Sequence, residues 1–377
     1  MKVHKDTFLL AFFQKGLLFL RDMNKTVYRV VGVMSGTSLD GVDLVDVTFS
    51  KQAGVWRYDI HAFETKLYTE AWYSILKQLV SKSVTELESI DQEYTPYLAG
   101  MIQEFIIENK ITDLDAICSH GHTALHQPEA GMTYQIGNLA CLFDILKIPV
   151  VCNFRVQDVA LGGQGAPLVP IGDKLLFSDY DFCLNLGGFA NISTDIEARR
   201  IAYDICPANI VLNHYIGLLG FDYDDGGQLA STGTVCFELL EALNDLDFYK
   251  KAAPKSLGLE WVKQEIFPLI DSFDLPVESV LRTFVEHVAV QISTVINEKE
   301  GVQVLVTGGG AYHAFLMTKI KEKTSNTLII PENRLVECKE ALVFGFLGVL
   351  KLEGAVNCLS SVTGAKEDHS SGIIFKY

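Results

Sequence analysis

Basic residues, paired cysteines and long apolar runs are all scarce in this sequence. Its 31 Lys and Arg residues are outnumbered by 47 Asp and Glu residues, for a formal net charge of -16, and the basic residues form no cluster. Because the phosphate backbone of a nucleic acid is held by clustered cations, a general nucleic-acid-binding function is excluded. Any phosphate group that the chain binds must therefore be held locally, by a few residues of a loop.

The eight cysteines are scattered, and none belongs to a C-x-x-C pair. Most lie inside apolar runs, such as VVCNF at 150–154 and DFCLNL at 181–186. Such positions are typical of buried free thiols rather than of zinc ligands or disulfides. Free thiols in turn predict a reducing compartment, which we take to be the cytoplasm.

An apolar stretch near the N-terminus, FLLAFFQKGLLFL at 8–20, is interrupted by polar residues and is too short to span a bilayer. No small-residue cleavage site follows it, as a signal peptide would require. We therefore expect no membrane partner. Since the organised sequence begins soon afterwards, we predict that Met23 is the true start and that residues 1–22 are an N-terminal extension.

The most informative stretch is YRVVGVMSGTSLDGVDLVDVTF at 28–49, where two apolar runs flank a short polar segment. The pattern predicts strand, tight turn and strand, followed by a third strand over 55–68. Glycines let the backbone approach a ligand closely, and turn amides and hydroxyls can cradle a phosphate. Carboxylates beside a phosphate favour an intervening cation, so Asp40 and Asp43 predict Mg²⁺, held through water. The predicted phosphate-binding residues of this turn are Gly36, Thr37, Ser38, Leu39, Asp40, Gly41, Val42 and Asp43.

This turn differs from the two common nucleotide-binding loops. A Walker A loop needs a Lys after its second glycine, a Rossmann loop needs G-x-G-x-x-G, and each opens a helix. Here no Lys follows, and the next segment predicts a strand. A hairpin that binds phosphate at its turn is typical of the actin, hexokinase and sugar-kinase ATPases. An ordinary hairpin with a polar loop stays an alternative at this point.

The length of the chain and a second glycine hairpin predict two lobes. At 377 residues the chain exceeds one typical domain, and DFCLNLGGFANISTDI at 181–196 repeats the strand–glycine–strand pattern, with Gly187 and Gly188 at its turn. We predict an α/β, two-lobed actin/hexokinase-like fold, a duplicated ribonuclease H-like ATPase with a central cleft. The first lobe would cover 23–152, with the C-terminal helix as a candidate addition, and the second would cover 153–377.

A short strand predicted over 114–119 leads into the segment HGHTALHQP. Ligands of open α/β sheets bind beyond the carboxyl ends of strands, so His120 and Thr123 are candidate substrate contacts. A metal site formed by His120, His122 and His126 is the less favoured interpretation, because no acidic partner stands at ligand spacing. A purely structural loop is a third.

The segment NFRVQDVALGGQGAPLVP at 153–170 is rich in glycine, which is typical of a hinge or of a backbone pressed against a ligand. We predict that Arg155 and Asp158 line the cleft and contact substrate. The alternative is that this pair only braces the loop. Near the C-terminus, Glu340 is a hydrophilic exception in an apolar helix and is predicted either to contact a sugar hydroxyl or to cap the helix.

Asp204 closes a short predicted strand in YDICPAN, where a carboxylate could take a proton from a nucleophile. It is our candidate general base, with an Asx turn as the structural alternative. Asn209 lies where the next helix begins and is a candidate substrate contact. In VQVLVTGGGAYH, the buried strand runs directly into Gly308, Gly309 and Gly310, which predicts a turn that holds the nucleoside.

Seven stretches stand in order along the chain: VGVMSGTSLDGVD, SHGHTALHQP, NFRVQDVALGGQGAPLVP, LNLGGFANIS, APKSLG, TGGGA and EALVFGFLG. Together they resemble the successive motifs of the anhydro-N-acetylmuramic acid kinases, from about Met23 to the C-terminal helix. The chain departs from the family pattern in three places. D-T-G-P-G-N reads Asp204-Ile-Cys-Pro-Ala-Asn209 here, His122 stands where the family usually has Gln, and Asn153 stands where it usually has Asp. Asp204 and Asn209 are kept.

The resemblance implies an ATP- and Mg²⁺-dependent kinase of peptidoglycan recycling, acting on a small sugar and forming a homodimer. Such an enzyme opens the 1,6-anhydro ring of anhydro-N-acetylmuramic acid with water and phosphorylates O6, giving N-acetylmuramic acid 6-phosphate and ADP. By the same resemblance, residues 36–43 bind the ATP phosphates, Asp204 activates water and Glu340 contacts the sugar. Two alternatives stay open, a kinase for another small amino sugar and a degenerate nucleotide-binding regulator.

Overall fold

A computed structural model describes residues 25–36 and 39–377 of the chain. The predicted extension over 1–22 and the predicted start at Met23 lie outside the described residues, as do Thr37 and Ser38 of the first hairpin turn. No helix in the described part of the chain is both long enough and apolar enough to cross a membrane.

The strands follow the apolar periodicity of the sequence, and both predicted hairpins are confirmed. The third strand predicted over 55–68 is present as well. In chain order the strands are β1 (Val27–Ser35), β2 (Val42–Gln52), β3 (Val55–Lys66), β4 (Ala116–Gln127), β5 (Met132–Ile136), β6 (Val150–Cys152), β7 (Phe182–Leu186), β8 (Phe189–Ile196), β9 (Arg199–Pro207), β10 (Gln303–Thr307), β11 (Thr327–Ile329) and β12 (Ile373–Phe375).

The helices connect and cover these strands. A π-helical turn over Val262–Ile266 joins two of them, and a 3₁₀ turn over Gly309–Tyr312 precedes another. In chain order they are α1 (Glu70–Leu76), α2 (Val84–Glu108), α3 (Cys141–Leu146), α4 (Val156–Ala160), α5 (Pro170–Leu176), α6 (Asn209–Gly217), α7 (Gln228–Thr232), α8 (Phe237–Asn244), α9 (Leu259–Trp261), α10 (Phe267–Asp271), α11 (Val277–Ile296), α12 (Ala314–Lys321), α13 (Asn333–Leu352) and α14 (Ser360–Thr363).

The chain divides into two compact units at positions that differ from the predicted boundary at residue 153. The first unit runs to Leu168 and also takes Glu340–Tyr377, and the second is Val169–Lys339. The glycine-rich loop belongs to the first unit because the C-terminal segment meets its backbone. Gln164 donates to the carbonyl of Thr363 at 2.8 Å, and β12 pairs antiparallel with β6. These contacts join segments about 200 residues apart, which local sequence pattern does not reveal.

The sheet of the first unit has the order β12-β6-β4-β1-β2-β3, with β5 paired to β4. β1, β2 and β3 form an antiparallel meander, while β4 runs parallel to β1 and β6 parallel to β4. The longer strands β1 and β2 are buried over most of their length, as expected for a sheet covered on both faces.

The second unit repeats this arrangement. Its sheet has the order β11-β10-β7-β8-β9, with an antiparallel meander of β7, β8 and β9 and two parallel neighbours, β10 and β11. Stripped of β5 and β12, the first sheet has the same strand order and the same directions. The ribonuclease H-like topology is therefore present twice, and the predicted α/β fold class with two such lobes is confirmed.

Helix α13 packs onto the first sheet at a point where both backbones carry glycine, at Gly32 and Gly345. A Cβ atom added to Gly32 on β1 would lie 2.1 Å from the carbonyl oxygen of Ala341, and Gly345 faces the same spot. Beside this contact, the rings of Phe49 and Phe346 lie 5.2 Å apart. Glycine at position 32 is thus required by the close approach of helix and strand backbones.

We expect Gly32→Ala to lower the free energy of unfolding by about 2 kcal/mol or more, because the new methyl group meets backbone that has no rotamer to yield. Gly100→Ala is the matched control, since it lies within α2 of the same unit and its Cβ would meet open space. That control should gain up to about 1 kcal/mol from helix propensity. Urea unfolding of both variants measures the difference, and equal stability of the two would contradict the packing argument.

Candidate functional site

The turn between β1 and β2 is the first candidate ligand-binding element. Leu39 adopts a φ of 64° and its amide donates to the carbonyl of Gly36 at 3.3 Å. Gly41 has a φ of 149°, and a Cβ there would lie 2.6 Å from the carbonyl of Lys66, so only glycine fits. Val42 is buried in the core and supports the turn from beneath. Of the residues predicted to bind phosphate, Thr37 and Ser38 lie outside the described range.

The two carboxylates predicted to face Mg²⁺ differ in their surroundings. Asp40 is exposed at the turn, whereas Asp43 is half-buried at the start of β2 and accepts a hydrogen bond from the hydroxyl of Thr65 at 2.6 Å. Carboxylate oxygens are the ligands that Mg²⁺ prefers, and Asp40 is open to solvent as a water-mediated contact needs to be. The donor set of this turn therefore fits the predicted cation.

A buried hydrogen-bond network anchors the first turn at the end of β1. The hydroxyl of Ser35 lies 2.6 Å from Nδ1 of His122 and also contacts the hydroxyl of Tyr68, while the hydroxyl of Tyr94 donates to it at 3.4 Å. Burial lowers the pKa of His122 to about 4, so the ring is neutral at ordinary pH. The partners come from segments 33 to 87 residues apart in sequence, which is why sequence pattern alone did not identify this network.

His120 is buried, and both of its ring nitrogens are engaged by the protein. Nε2 accepts from Nε of Arg155 at 2.8 Å, and Nδ1 lies 2.8 Å from the carbonyl of Gly121. Burial and the charge of Arg155 hold the pKa of His120 well below its usual range, so the neutral ring donates from Nδ1. His120 therefore orients Arg155 from a buried position, whereas we predicted that it contacts substrate.

The structure also extends the strand that carries His120 and Thr123. We predicted that a strand over 114–119 ends before these residues, but β4 continues to Gln127 because it forms an antiparallel hairpin with β5. Thr123 is half-buried and pairs with Gln135 across that hairpin. The carboxyl edge of the sheet is thus built from paired strand rather than from a loop.

Arg155 lies behind the glycine-rich loop with its guanidinium held on two sides. Besides its bond to His120, Nη1 donates to the carbonyl of Gly165 at 2.7 Å, and the guanidinium carbon lies 5.8 Å from the ring centre of Phe344. Burial lowers the pKa of Arg155 to about 10, and the negative charge of Glu340 opposes that shift. Glu340 is exposed on α13 and its charge acts on Arg155, so these two predicted substrate contacts share one electrostatic environment.

Asp158 is fully buried, which differs from its predicted place against substrate. Oδ2 accepts from the amide of Gly165 at 2.7 Å, and Oδ1 accepts from the hydroxyl of Thr363 at 2.7 Å. A Cβ at Gly163 would lie 2.2 Å from Oδ2, so the glycine-rich loop wraps closely around this carboxylate. The bracing role, which the sequence left as an alternative for Asp158, is the one that its contacts describe.

In the second unit, the two glycine turns pack against the same strand end. A Cβ at Gly308 would lie 2.6 Å from Oδ1 of Asn185, and one at Gly310 would lie 2.7 Å from Cβ of Leu186. Between them, Gly309 faces open space, which leaves backbone accessible to a ligand. The structure therefore brings the predicted turn over 308–310 to the end of β7, where the second hairpin turns.

The turn of the second hairpin is tied to the start of α6. The carbonyls of Gly187 and Gly188 accept from the amides of Asn209 and Ile210 at 3.3 and 3.2 Å. The side-chain amide of Asn209 donates to the carbonyl of Leu186 at 3.3 Å. Because these carbonyls satisfy the first amides of the helix, the helix N-terminus supports the turn instead of facing a ligand.

Asp204, the predicted base, lies on β9 and is held by the segment that follows α8. Its Oδ2 accepts from the amide of Leu257 at 2.8 Å and from the hydroxyl of Ser256 at 3.3 Å, and its amide donates to the carbonyl of Lys255 at 2.9 Å. Burial raises the pKa of Asp204, and the bonds from Leu257 and Ser256 oppose that rise. A carboxylate with a raised pKa is a better proton acceptor near neutral pH.

The residues that depart from the family pattern after Asp204 point into the core. Ile205, Cys206 and Ala208 are at most 2% exposed and belong to the hydrophobic cluster of the second unit. Their side chains fill space behind β9, where they pack with Val211 and Leu212 of α6. The residues that differ from the family pattern therefore lie in the core, whereas Asp204 and Asn209 are half-buried.

Comparison with known proteins identifies relatives over nearly the whole chain. A family model described as anhydro-N-acetylmuramic acid kinase matches residues 28–377. A protein named anhydro-N-acetylmuramic acid kinase from Pseudomonas syringae pv. tomato is 33% identical over 92% of this chain and 98% of its own length. One of the same name from Actinobacillus pleuropneumoniae serotype 5b is 33% identical over 94% of this chain and its full length.

The neutral His122 predicts a specific loss of stability in mild acid. Its folded pKa of about 4 lies below the ordinary value near 6.5, so its contribution is complete above about pH 6.5 and is lost as pH falls toward 4. Between about pH 7.5 and pH 5 this amounts to about 2 kcal/mol. We expect His122→Gln, which keeps a hydrogen-bonding side chain, to narrow the difference in unfolding free energy between those pH values by that amount. An unchanged difference in urea unfolding would contradict the assignment.

Proposed function

Because the chain belongs to the anhydro-N-acetylmuramic acid kinase family, we propose that it phosphorylates O6 of 1,6-anhydro-N-acetylmuramic acid with ATP while water opens the anhydro ring. The products are N-acetylmuramic acid 6-phosphate and ADP. The reaction would serve the reuse of cell-wall sugar in the cytoplasm, with the chain acting as a homodimer. Membership of this family confirms the coarser prediction of a sugar kinase.

The observation that carries the proposal is the setting of Asp204. A base must be anchored so that its free oxygen keeps one direction, and two hydrogen bonds to Oδ2 anchor this carboxylate. All hydrogen bonds that the described residues make with its carboxylate go to Oδ2, so Oδ1 is the atom that we assign to the water nucleophile. Burial raises its pKa, which favours proton uptake.

The proposed reaction needs one base because the substrate supplies the second nucleophile itself. Water attacks the anomeric carbon and gives its proton to Asp204, and the bond from that carbon to O6 breaks. O6 then attacks the γ-phosphorus of ATP, and the bond to the β-phosphate oxygen breaks to release ADP. Ordinary glycosidases need two carboxylates, since there the leaving oxygen must be protonated by an acid.

We assign the ATP contacts to backbone turns of each unit. In the first unit these are Gly36, Leu39, Gly41 and Val42, together with Thr37 and Ser38, which lie outside the described residues. In the second unit they are Gly187, Gly188 and the turn over 308–310, where Gly309 presents open backbone. Mg²⁺ would be held through water by Asp40 and Asp43, and when bound it neutralises charge on the transferred phosphoryl group.

For the sugar we assign direct contacts to side chains with an exposed or half-exposed group. In the first unit, Thr123 and Glu340 offer a hydroxyl and a carboxylate, and Arg155 offers a positive charge near Glu340. In the second unit, Asn209 offers an amide. His120 and Asp158 act behind them, since the first orients Arg155 and the second holds the glycine-rich loop.

Replacing the base tests the assignment. We expect Asp204→Asn to lower ATP turnover with anhydro-N-acetylmuramic acid by at least about 100-fold, because the amide cannot accept the proton while it keeps the bond from Leu257. Asp179→Asn, an exposed carboxylate of the same unit, is the control and should leave turnover unchanged. Turnover by Asp204→Asn within tenfold of the unchanged protein would exclude Asp204 as the base.

Labelled water tests the ring-opening step separately. In H₂¹⁸O the label should enter the anomeric position of N-acetylmuramic acid 6-phosphate, as mass spectrometry of the product would show. Label in inorganic phosphate would instead indicate ATP hydrolysis. Turnover with N-acetylmuramic acid but not with its anhydro form would identify a sugar kinase that lacks the ring-opening step. Failure of both sugars to stimulate turnover would favour a nucleotide-binding regulator.

A further inference from the structure

Three metal-ligating side chains converge inside the first unit, behind the glycine-rich loop. Asp158 comes from α4, while Cys358 and His369 come from the segment that follows α13, about 200 residues later. Their ligand atoms lie within 4.8 Å of one another, and all three residues are buried. Sγ of Cys358 is 3.0 Å from Oδ1 of Asp158, and Nε2 of His369 is 3.6 Å from the same oxygen.

The imidazole of His369 has an unsatisfied nitrogen that faces this carboxylate. Its Nδ1 lies 3.0 Å from the carbonyl of Glu367, so in the neutral ring Nδ1 carries the proton and donates it. Nε2 is then a bare lone pair, and it is buried without a hydrogen-bond partner among the described residues. His369 is 7% exposed, so water does not replace that partner readily. A lone pair and a carboxylate oxygen that face each other in a buried place repel unless a proton or a metal ion lies between them.

We propose that Asp158, Cys358 and His369 bind a divalent zinc ion. Thiolate, imidazole and carboxylate are the ligand types that zinc takes in proteins, and their mixture does not suit Mg²⁺ or Ca²⁺, which prefer oxygen. The site is separate from the turn that carries Asp40 and Asp43. It concerns Cys358 in particular, which the sequence pattern predicted to be a buried thiol without a ligand role.

The two separations measured from Oδ1 of Asp158 agree with a tetrahedral ion. Zinc–ligand bonds of roughly 2.0 to 2.3 Å place neighbouring ligand atoms roughly 3.3 to 3.6 Å apart. The observed separations from Oδ1, 3.0 Å to sulfur and 3.6 Å to nitrogen, bracket that range. The hydroxyl of Thr363, which lies 2.7 Å from Oδ1, stands beside the fourth position, which it or a water molecule would fill.

Zinc at this place would fasten two segments that otherwise meet through hydrogen bonds. Asp158 already accepts from the amide of Gly165, and Gln164 donates to the carbonyl of Thr363. The ion would add coordinate bonds to this carboxylate, to Cys358 and to His369, and would so link the two segments. Binding would release the thiol proton of Cys358 to solvent, so the affinity for zinc should fall as pH falls. The zinc ion would have a structural role, because it would brace the glycine-rich loop. That loop in turn holds Arg155 through the carbonyl of Gly165.

The competing interpretation needs no metal. In it the thiol of Cys358 donates to Asp158, and a protonated His369 forms an ion pair with the same carboxylate. The two interpretations differ in whether the sulfur of Cys358 is a thiolate bonded to a metal ion. A thiolate bonded to cobalt gives an absorption band that a free thiol does not give. Spectroscopy therefore separates them without any measurement of kinase activity.

The experiment uses the full chain without a histidine tag, stripped of metal by a chelator and titrated with Co²⁺. We expect one equivalent to bind, with a thiolate-to-cobalt charge-transfer band in the near ultraviolet and the visible d–d bands of a tetrahedral ion. Zinc should displace the cobalt, abolish both sets of bands and raise the midpoint of thermal unfolding. Cys358→Ser should remove the charge-transfer band, and His369→Gln should weaken binding by more than about tenfold.

Cys141→Ser is the matched control, because Cys141 is a half-exposed thiol of the same unit and the first candidate for adventitious metal binding. That variant should keep the bands and the stoichiometry. Far-ultraviolet circular dichroism checks that each variant is folded. If one of the ligand variants, Cys358→Ser or His369→Gln, does not fold, the other still tests the site. The proposal is overturned if the folded protein shows no thiolate-to-cobalt band, or if the band persists in folded Cys358→Ser.

Discussion

Parallel pairing of β1 with β4 and of β7 with β10 is the constraint on which the rest of the structure depends. Backbone hydrogen bonds fix the register, with Val33 opposite Ser119 and Thr307 opposite Asn185. In the first unit this pairing sets the turn after β1 beside the His120 region of β4. In the second unit it sets the glycine turn after β10 beside the turn after β7. Each unit therefore gathers its candidate ligand-binding backbone at one sheet edge, although the segments are distant in sequence.

Much of this could be predicted because the signals are local. Two alternating apolar runs around a glycine turn were sufficient for both hairpins, and a second such hairpin indicated the duplication. The predicted boundary at residue 153 was wrong because the signal that decides it is not local. The loop after residue 153 is held by residues 357–371, about 200 positions later. The strand that ends at Gln127 was likewise underestimated, because its pairing with β5, rather than its composition, extends it.

For the candidate site residues, the sequence was a better guide to which residues to consider than to how deeply their side chains are buried. The sequence indicates which polar residues lie at strand ends, but it does not distinguish a side chain that faces a ligand from one that supports it. His120 and Asp158 proved to be buried supports whose partners are Arg155, Gly165 and Thr363. Ser35 and His122 form a further support that needs long-range contacts to be seen. The anchoring of Asp204 is equally non-local, since Leu257, which donates to its carboxylate, lies 53 residues along the chain.

The distribution of thiols offers a practical consequence. None of the eight cysteines, all of which lie in the described residues, forms a disulfide. Six are buried, and the two half-exposed ones are Cys141 and Cys236. One of these belongs to each compact unit. A maleimide dye or a nitroxide attached under native conditions would therefore go chiefly to one native position per unit. Such labels could report on ligand binding in each unit separately, without engineered cysteines.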